Sequence, residues 1–460
     1  MSKLTVAKFG GTSVGDYPAM LRCANIIKND TGNRVVVVSA SAGVTNLLVR
    51  LSQANLSSSE QVSIINQVRD IQYNITQNLV NQAELNQEVD GILVELSEYA
   101  KLQSAEVSSK IADTILSFGE QLSSRIFAQV LKTVQVNAQY FDVRSVMQTN
   151  SSFGKAVVDT EKLKQNCHQL LVPLLTNQVV VTQGFIGKDY DNNTTTLGRG
   201  GSDYSAALLA EALNADNLAI WTDVVGIFTT DPRITDKARA INEISFGEAA
   251  EMATFGAKIL HPATLIPAMR HNIPVFVGSS KEPNKGGTYI QKTVSSTPTY
   301  RSIALRREQT LVTVKSPAML HASGFLAKVF NVLAKHQLSV DLITTSEISV
   351  AMTFDNPTGT TQALLNSTVV QELEKLCEVS VENGLSLIAV IGNKMQQKSG
   401  VGSCIFDTIS GINVRMICHG ASEHNLCFLV NEEQANLAVE QLHKAFFEQN
   451  VKPTELATAS

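Results

Sequence analysis

A lysine beside paired glycines supplies residue types that a phosphate-handling site needs. In KFGGTSVGD, residues 8–16, Lys8 precedes Gly10 and Gly11 where an apolar run, LTVA, gives way to a helical pattern. Glycines let a ligand approach the backbone, and a helix N-terminus offers unpaired N–H groups and a positive dipole. A lysine adds a point charge beside bound phosphate. The motif differs from the Walker loop, in which the lysine follows the glycines. On these residues alone, a tight strand-to-helix turn explains the motif equally well.

A second glycine loop, TTTLGRGGSDYSAALLAEAL, occupies residues 194–213 and places three glycines around Arg199. Arginine suits a bidentate grip on a carboxylate or phosphate. Ser202 is expected to cap the following helix, with Asp203 in its first turn. A capped helix start explains Ser202 and Asp203 but leaves GRGG unexplained. Asp203 would repel a phosphate unless it orients a lysine or binds magnesium.

Loops after predicted strands carry further polar residues. In IWTDVVGIFTTDPR, residues 220–233, a strand is predicted to end at Thr222 and Asp223. Open α/β sheets bind their ligands at this end of their strands. SASAGVTN, residues 39–46, follows the run VVVV and is rich in small and hydroxyl residues, and SFGEQLSS, residues 117–124, is predicted to start a helix at Glu120.

The stretch FGAKILHPATL, residues 255–265, contains Lys258 beside a glycine and before a proline-marked turn. A solvated lysine is the alternative on this segment alone. His261 is predicted to be structural, since no His/Cys cluster accompanies it and no metal site is expected. Two lysines, an arginine on a glycine loop and several carboxylates together indicate phosphoryl transfer, which needs positioning and charge stabilisation more than covalent groups.

The elements that would position these residues form an α/β pattern over residues 1 to about 280. LTVAKF, RVVVVSA, NQVVVTQGF, NLAIWTD and IPVFVG read as buried strands with helical patterns between them. This alternation predicts a mainly parallel sheet between helix layers. A helical insert is expected over roughly 57–135, and residues 281–300, rich in Lys, Gly, Ser, Thr and Pro, read as a connection between domains.

The remainder of the chain contains a repeat. LVTVKSPAMLHASGFLAKVF, residues 311–330, matches LIAVIGNKMQQKSGVGSCIF, residues 387–406, with glycine and apolar positions in register. Each copy reads strand, glycine loop, helix, strand, strand, helix, which predicts a pair of small α/β modules. Coincidence between ordinary βαβ patterns is the alternative.

The composition and the net charge limit the partners and the cellular compartment that we expect for this chain. The net charge is −5, which argues against a nucleic-acid partner recruited by bulk charge. No apolar run approaches 18 residues, so no membrane partner is expected. The six cysteines form no CxxC pair and fit reduced thiols, and the chain opens without a signal peptide, so we expect a cytoplasmic protein.

At this point the chain resembles the aspartate kinases of the amino acid kinase family. The resemblance is carried by KFGGTSV, SASAGVTN, TTTLGRGGSDY, WTDVVGIFTTDPR and AKILHP, in that order. The repeat resembles tandem ACT domains. MLHASGFLAKVF and SVDLITTSEISVA are similar to the lysine-inhibited, monofunctional type. The resemblance implies a three-layer αβα kinase domain over 1–292 and two ferredoxin-like (βαββαβ) ACT domains over 305–384 and 385–450.

The resemblance also implies a reaction and its residues. The γ-phosphoryl group of ATP, used with Mg2+, would pass to the β-carboxylate of L-aspartate and give 4-phospho-L-aspartate, which leads to lysine, threonine and methionine. The catalytic residues implied are Lys8, Asp203 and Lys258. The aspartate-binding residues implied are Ser39, Thr45, Glu120, Arg199 and Ser202. The ATP-binding residues implied are Lys8, Gly10, Gly11, Thr222, Asp223, Phe228, Arg233 and Lys258.

L-lysine is the inhibitor that the resemblance implies, bound at the first repeat. The residues implied are Met319, Ala322, Gly324, Phe325, Leu326, Val340, Asp341, Ser346 and Glu347. The chain has Phe228 where the family has tyrosine, and Ala322-Ser323 where lysine-inhibited relatives carry Ser-Arg. The second repeat offers Arg415 and Glu423 and is predicted to pair with another copy without binding lysine.

A homodimer through the repeats is expected, with a tetramer as the alternative when lysine is bound. Two other functions stay open at this point. One is another acid kinase of the same fold, acting on glutamate, acetylglutamate or a nucleotide, against which the paired repeats and FTTDPR argue. The other is a non-catalytic amino-acid sensor, against which the intact Lys8, Arg199, Asp203 and Lys258 argue.

Overall fold

The computed structural model describes residues 3–256, 260, 262–320, 323–355, 365 and 367–448. They divide into two compact units. The first lies within Met1–Ile227, Ala240–Phe246 and Lys258–Ser295, and the second lies within Phe228–Arg239, Gly247–Ala257 and Ser296–Ser460. Two short stretches between residues 228 and 257 therefore belong with the C-terminal part of the chain.

The described residues of the first unit form ten strands. They are β1 (Thr5–Phe9), β2 (Asn33–Val38), β3 (Ala138–Phe141), β4 (Val179–Gln183), β5 (Ile186–Lys188), β6 (Thr194–Thr196), β7 (Asn217–Thr222), β8 (Glu243–Ser245), β9 (Val275–Ser279) and β10 (Gly287–Gln291). Eight of them form one sheet in the order β3-β4-β2-β1-β7-β9-β10-β8, and β5 pairs with β6 as a separate hairpin. All pairings in the large sheet are parallel except β9 with β10. The mainly parallel sheet is thus confirmed.

Among the residues described before position 272, nine α-helices are present. They are α1 (Tyr17–Asn29), α2 (Val44–Leu51), α3 (Ser58–Thr76), α4 (Gln82–Ala105), α5 (Ser109–Thr133), α6 (Thr160–Asn166), α7 (Gly201–Ala212), α8 (Phe246–Thr254) and α9 (Pro262–His271). The expected helical insert is α3 to α5, and all of α8 after Phe246 belongs to the second unit.

Alternation along β1 decides which side chains reach which helix layer. Ala7 and Phe9 are fully buried in a core built with α1 to α5. Since neighbouring residues of a strand point to opposite faces, Lys8 lies on the other face, where α7 packs against β1. The strand pattern therefore sends the lysine toward the helix that follows the GRGG loop.

The connection expected over 281–300 is wrong in its middle. Gly287–Gln291 forms β10, which pairs antiparallel with β9 and parallel with β8 inside the large sheet. Its alternation is visible in the structure, with Thr288 and Ile290 buried and Tyr289 exposed. The sequence analysis did not predict this five-residue strand, because the Lys, Gly and Ser residues around it are typical of a linker.

In the described part of the second unit there are six further strands and four further α-helices. The strands are β11 (Ser302–Lys315), β12 (Ile343–Thr345), β13 (Ser349–Asp355), β14 (Glu378–Ile391), β15 (Val414–His419) and β16 (Asn425–Asn431). The helices are α10 (Phe325–Lys335), α11 (Ser367–Glu374), α12 (Val401–Thr408) and α13 (Glu432–His443). One sheet joins all six strands in the order β12-β13-β11-β14-β16-β15.

The two copies of the repeat share their long strands β11 and β14. The segment 309–315 of β11 pairs with β13, and the segment 302–306 pairs with residues 387–391 of β14. Ile303 accordingly lies in the core of the second copy, with Ile388 and Phe428. The second copy is therefore closed by a strand that precedes the first copy in the chain.

The repeat predicted from the sequence is present in the backbone. Each copy runs strand, helix, strand, strand, helix, and Gly324 and Gly400 stand at equivalent helix starts with φ of 85° and 82°. This left-handed conformation favours glycine, which explains why both copies keep it. Among the described residues, no helix is both long enough and apolar enough to cross a membrane.

Candidate active site

Several predicted site residues of the first unit follow strands that end at one edge of the large sheet. Phe9 is aligned with Val38 of β2 and with Trp221 of β7, and Val38 is aligned with Gln183 of β4. Because these strands are parallel, their carboxyl ends meet at the same edge. The loops that begin at residues 10, 39, 184 and 223 therefore start side by side.

The KFGG turn packs tightly against the loop after β2. The Gly10 N–H donates to the Trp221 carbonyl at 3.1 Å, and the Ala42 N–H donates to the Gly11 carbonyl at 3.1 Å. A Cβ on Gly11 would lie 2.9 Å from the carbonyl oxygen of Ala40. Gly11 is thus required by close approach of two backbones, and the turn joins the ends of β1, β2 and β7.

Lys8 and Asp203 form the central ion pair of this edge. The Lys8 Nζ lies 2.6 Å from the Asp203 Oδ1, with side chains 10% and 18% exposed. Asp203 stands in the first turn of α7, where a carboxylate also interacts favourably with the helix dipole. The sequence suggested that Asp203 could orient a lysine, and the structure brings these two residues together.

The start of α7 differs from the sequence-based expectation for Ser202. The N-cap is Gly200, with φ of 75°, and no side chain that the structure describes caps the helix. Ser202 is instead the second residue of the helix, and a Cβ on Gly184 would lie 2.6 Å from the Ser202 Cβ. The cap prediction was wrong because a left-handed glycine begins the helix earlier than a serine cap would. Ser202 faces the turn that follows β4.

Glu120 also occupies a different position from the one expected. It lies in the middle of α5, not at a helix start, and is 5% exposed. Its carboxylate accepts a hydrogen bond from the backbone of Ala40, next to Ser39. Burial raises the pKa of Glu120 to about 8, although the Ala40 hydrogen bond and the nearby charge of Lys8 oppose the shift.

The other predicted substrate residues are more accessible. Ser39 is half-buried, and its carbonyl accepts a hydrogen bond from the Ser123 Oγ of α5 at 2.8 Å. Thr45 is exposed in the first turn of α2. Arg199 is exposed between Gly198 and Gly200, and it makes no ion pair with any residue that the structure describes. An exposed guanidinium of this kind can receive a carboxylate or phosphate.

The end of β7 carries Thr222 and Asp223 as predicted. The Thr222 Oγ1 donates to the Asp223 Oδ1 at 3.2 Å, and the Asp223 side chain is exposed. The Thr222 carbonyl accepts a hydrogen bond from the Ser280 N–H at 2.8 Å, which ties this end to the end of β9. Trp221, the single tryptophan of the chain, stacks on Phe9 at 6.4 Å.

The remaining predicted nucleotide residues are Phe228, Arg233 and Lys258. Phe228 and Arg233 belong to the second unit. The Arg233 side chain is 83% exposed and pairs with Asp231 at 2.6 Å. Lys258 lies outside the described residues, as does His261.

Two residues at this edge were missed by the sequence analysis. Asp113 is 2% exposed in α5 and accepts hydrogen bonds from Gly154 N and from the N–H and hydroxyl of Thr196 at 2.8–2.9 Å. It thereby holds β6, two residues before the GRGG loop. Nothing in the sequence distinguishes it from a solvated helical aspartate. Gly184 was visible as a glycine directly after the run VVVTQ, which is a signal for a ligand loop or a tight turn.

The described residues among those predicted to bind lysine belong to the first repeat. Phe325 lies in its core, and Met319 and Val340 pack against that core, so their contribution would be shape. Gly324 caps α10, and Leu326 and Glu347 are exposed. The Ser346 Oγ is hydrogen-bonded to the Ser349 Oγ at 2.7 Å. Ala322 lies outside the described residues.

Asp341 is the ionisable member of this group that has an arginine partner. The Arg306 guanidinium lies 2.9 Å from Asp341 and 2.6 Å from Asp355. Burial raises the pKa of Asp341, with the Arg306 charge acting in the opposite direction. In the second repeat, Arg415 pairs with Glu382 at 2.7 Å.

Comparisons with known proteins find relatives of both parts of the chain. The model of the amino acid kinase family matches residues 3–279, and an ACT domain model matches residues 388–446. Lysine-sensitive aspartokinase 3 of Escherichia coli (strain K12) is 50% identical over 450 residues, which cover 97% of this chain and 100% of the relative.

Two solved structures are similar over nearly the whole chain. E. coli aspartokinase III in complex with aspartate and ADP, the R-state, has a TM-score of 0.88 at 50% identity and covers 97% of this chain and 100% of that one. The same protein in complex with lysine and aspartate, the T-state, has a TM-score of 0.84 at 50% identity and covers 96% and 99%.

Proposed function

The chain belongs to the amino acid kinase family, among its aspartokinases, and on that premise we propose that it phosphorylates the β-carboxylate of L-aspartate with ATP and is inhibited by L-lysine. The buried Lys8–Asp203 pair at the carboxyl edge of β1 carries this proposal. Asp203 fixes the position of the Lys8 ammonium, and this ammonium would supply the positive charge that a transferring phosphoryl group needs. E. coli aspartokinase III, crystallised with aspartate, ADP and lysine, supports the same substrates and inhibitor.

The reaction requires charge and alignment more than proton transfer. A carboxylate oxygen of aspartate attacks the γ-phosphorus, the bond from that phosphorus to the bridging oxygen breaks, and ADP leaves with the electron pair. The β-carboxylate is already ionised near pH 7, so no base has to remove a proton from it. The site must therefore hold two anions together and stabilise the charge on the oxygens between them.

Lys8 and Lys258 are proposed to stabilise the transferring group, with Asp203 as the residue that orients Lys8. Removing the freedom of the Lys8 ammonium before the reaction avoids reorganisation in the transition state. The Gly10 and Gly11 turn lets the nucleotide phosphates approach the backbone beside that ammonium.

Aspartate is proposed to bind between Arg199 and Glu120. Arg199 would grip the α-carboxylate, since its guanidinium is exposed and unpaired among the described residues. Glu120 would receive the ammonium group from its buried position beside Ala40. The remaining proposed contacts are Ser39, Thr45 and Ser202.

The nucleotide is proposed to contact Thr222, Asp223, Phe228 and Arg233. Magnesium fits this proposal as an ion brought by the nucleotide, because Mg2+ is usually held by substrate phosphates, waters and one or two carboxylates. Asp223 presents an exposed carboxylate at the end of β7 that could serve as such a ligand. When bound, the ion would neutralise charge on the phosphate oxygens.

Regulation is proposed to reside in the C-terminal part. We assign the chemistry to 1–292 and regulation to 305–384 and 385–450, with lysine bound by the first repeat. Asp341 and Glu347 would attract the cationic effector. The chain is proposed to act in the cytoplasm, in keeping with its six free cysteines.

The decisive experiment is ADP release by the purified protein with Mg-ATP, with and without L-aspartate, and then with millimolar L-lysine. We expect release that depends on aspartate and is suppressed by lysine. Release with glutamate or acetylglutamate but not aspartate would indicate another acid kinase of the same fold. Lysine binding without any release would indicate a sensor.

The pKa of Glu120 predicts how aspartate binding responds to pH. A carboxyl group with a pKa of about 8 is mostly protonated at pH 7 and ionised above pH 8. If the ionised form receives the ammonium group, KM for aspartate should fall roughly eightfold from pH 7 to pH 8.5, as the ionised fraction rises. Initial rates at saturating ATP would measure this change. In Glu120→Gln the KM should be higher and nearly flat over the same range, and a wild-type KM that does not change would contradict the assignment.

The repeats predict the oligomeric state. We expect light scattering to give the mass of a dimer without lysine and of a dimer or tetramer with it. The exposed edge strand β12 and the exposed Leu326 and Phe330 on α10 offer apolar surface for such pairing. A monomer under both conditions would rule out the proposed assembly.

A further inference from the structure

The segment 228–239, here called the FTTD loop, is closed at its base by hydrogen bonds between its own ends. The Thr229 N–H donates to the Arg239 carbonyl at 2.9 Å, and the Arg239 N–H donates to the Thr229 Oγ1 at 3.0 Å. Residues 230–238, which include Arg233, form the part between these ends. The position of the base therefore determines where the rest of the loop can reach.

That base is attached to the second repeat. The Ile303 N–H, at the start of β11, donates to the Thr229 carbonyl at 2.7 Å. The Arg239 guanidinium is hydrogen-bonded to the Phe447 carbonyl. Ile234 packs against the core of the second repeat. The FTTD loop is thus part of the second unit, although its sequence lies among the kinase motifs.

His443 is the buried polar residue of this attachment. It ends α13, has no exposed surface, and lies between the Thr229 Oγ1 at 2.9 Å and the Glu448 Oε1 at 2.7 Å. The π-helical turn Lys444–Glu448, which follows at once, brings Glu448 back to the ring. Such turns are often found at functional sites.

One tautomer of His443, with the proton on Nδ1, satisfies all the hydrogen bonds around the ring. The Thr229 Oγ1 already accepts from the Arg239 N–H, so its own proton can be donated to the His443 Nε2. The Nδ1–H then donates to the Glu448 carboxylate. Each donor in the series from Arg239 to Glu448 has one acceptor, and this fixes the ring and the threonine hydroxyl together.

We propose that His443 is a positioning residue for nucleotide binding, acting through Thr229 and the FTTD loop. The second repeat, for which no effector is expected, would then serve to hold this loop where Phe228 and Arg233 can meet ATP. This inference rests on the proposed function of those two residues. According to this inference, His443 contributes to the affinity for ATP. If His443 served only for packing, it would contribute only to stability.

Two conservative substitutions separate the contacts of the ring. Asn places its polar atoms near the position of Nδ1, so His443→Asn keeps the contact to Glu448 and loses the one to Thr229. Gln reaches the position of Nε2, so His443→Gln does the reverse. We expect His443→Asn to raise KM for ATP about tenfold, the effect of one buried hydrogen bond, with kcat and KM for aspartate within twofold. His443→Gln should stay near the wild type.

Thr229 provides a second pair that does not alter the histidine. Thr229→Val removes the hydroxyl with little change in shape and should raise KM for ATP as His443→Asn does, whereas Thr229→Ser should not. His336→Asn is the matched control, because His336 also lies beside a glutamate, Glu372 at 3.4 Å, but in the first repeat. It should leave KM for ATP unchanged.

ADP binding gives a readout that is independent of turnover. The fluorescence of Trp221, beside Gly10 and Thr222, would be titrated with ADP, and its Kd should rise by the same factor as KM. His443→Asn and Thr229→Val variants that melt earlier or turn over more slowly, with unchanged KM and Kd, would overturn the proposal and leave a packing role. Absence of aspartate-dependent ADP release in the wild type would refute the proposed function, and the ADP titration would still decide the role of His443.

Discussion

Replacement of Lys8 by methionine is expected to lower kcat by about 100- to 1000-fold, the usual effect of removing one preorganised charge-stabilising group. Lys8 is 8% exposed and its Nζ lies 2.6 Å from Asp203, so its ammonium is held before the substrates arrive. Methionine preserves the length and apolar packing of the stem but not the charge. Because the charge matters most when the phosphoryl group is in transit, KM for both substrates should change much less than kcat.

Turnover at saturating ATP and aspartate tests this expectation. Lys28→Met is the matched control, since Lys28 is an exposed lysine in the last turn of α1 and should leave turnover unchanged. ADP titration by Trp221 fluorescence would show that the variant still folds and binds nucleotide. A turnover number of Lys8→Met within threefold of the wild type would exclude the catalytic role.

The strands of the first unit could be predicted because their sequences are almost uninterrupted apolar runs. Val35 to Val38 and Val179 to Val181 are buried on both faces, and only a sheet covered by helices on each side provides such an environment. β10 lacks this signal. It is the strand next to the end of the sheet, and its buried Thr288 and Ile290 alternate with polar or exposed residues in a stretch whose composition is that of a linker.

The sequence was sufficient to predict which residues belong to the candidate site, but not how those residues are arranged. Lys8 and the glycine turns were found because their residue types are unusual at strand ends, and Asp203 was found because it follows GRGG in the first turn of the next helix. Glu120 was placed at a helix start because a glycine precedes it, yet Gly119 lies inside a 25-residue helix. The helix tolerates that glycine because Ala40 and Leu48 pack against it, which is a tertiary fact.

The local sequence did not predict that α8 belongs with the second unit. α8 bears Glu248, a fully buried carboxylate that pairs with Arg301 at 2.9 Å and accepts from Asn393 at 2.6 Å. Glu251 on the same helix accepts from Ser422 and Asn425 of the second repeat. These partners are separated from α8 by up to 174 residues, so no window of sequence reveals that they meet.

Replacement of Asp341 by asparagine is expected to weaken lysine inhibition about 10- to 100-fold while leaving the uninhibited rate unchanged. A hydrogen bond to a charged group contributes on the order of 1.5–3 kcal/mol, and the loss of one such contact to the lysine ammonium would raise the inhibition constant by that factor. The fold should tolerate the change, because Arg306 keeps its second partner, Asp355, at 2.6 Å. Inhibition curves at fixed ATP and aspartate measure the effect.

Asp355→Asn is the control that separates effector binding from loss of the ion pair. Asp355 pairs with the same guanidinium as Asp341 but is not a predicted lysine contact, so its removal should leave the inhibition constant unchanged. If both variants resisted lysine equally, the Arg306 cluster would control the response and Asp341 would not be a direct ligand. If neither variant did, lysine would bind elsewhere. Resistance in Asp341→Asn alone is the result that places the effector against this carboxylate, in the repeat whose Ala322-Ser323 sequence departs from the family pattern.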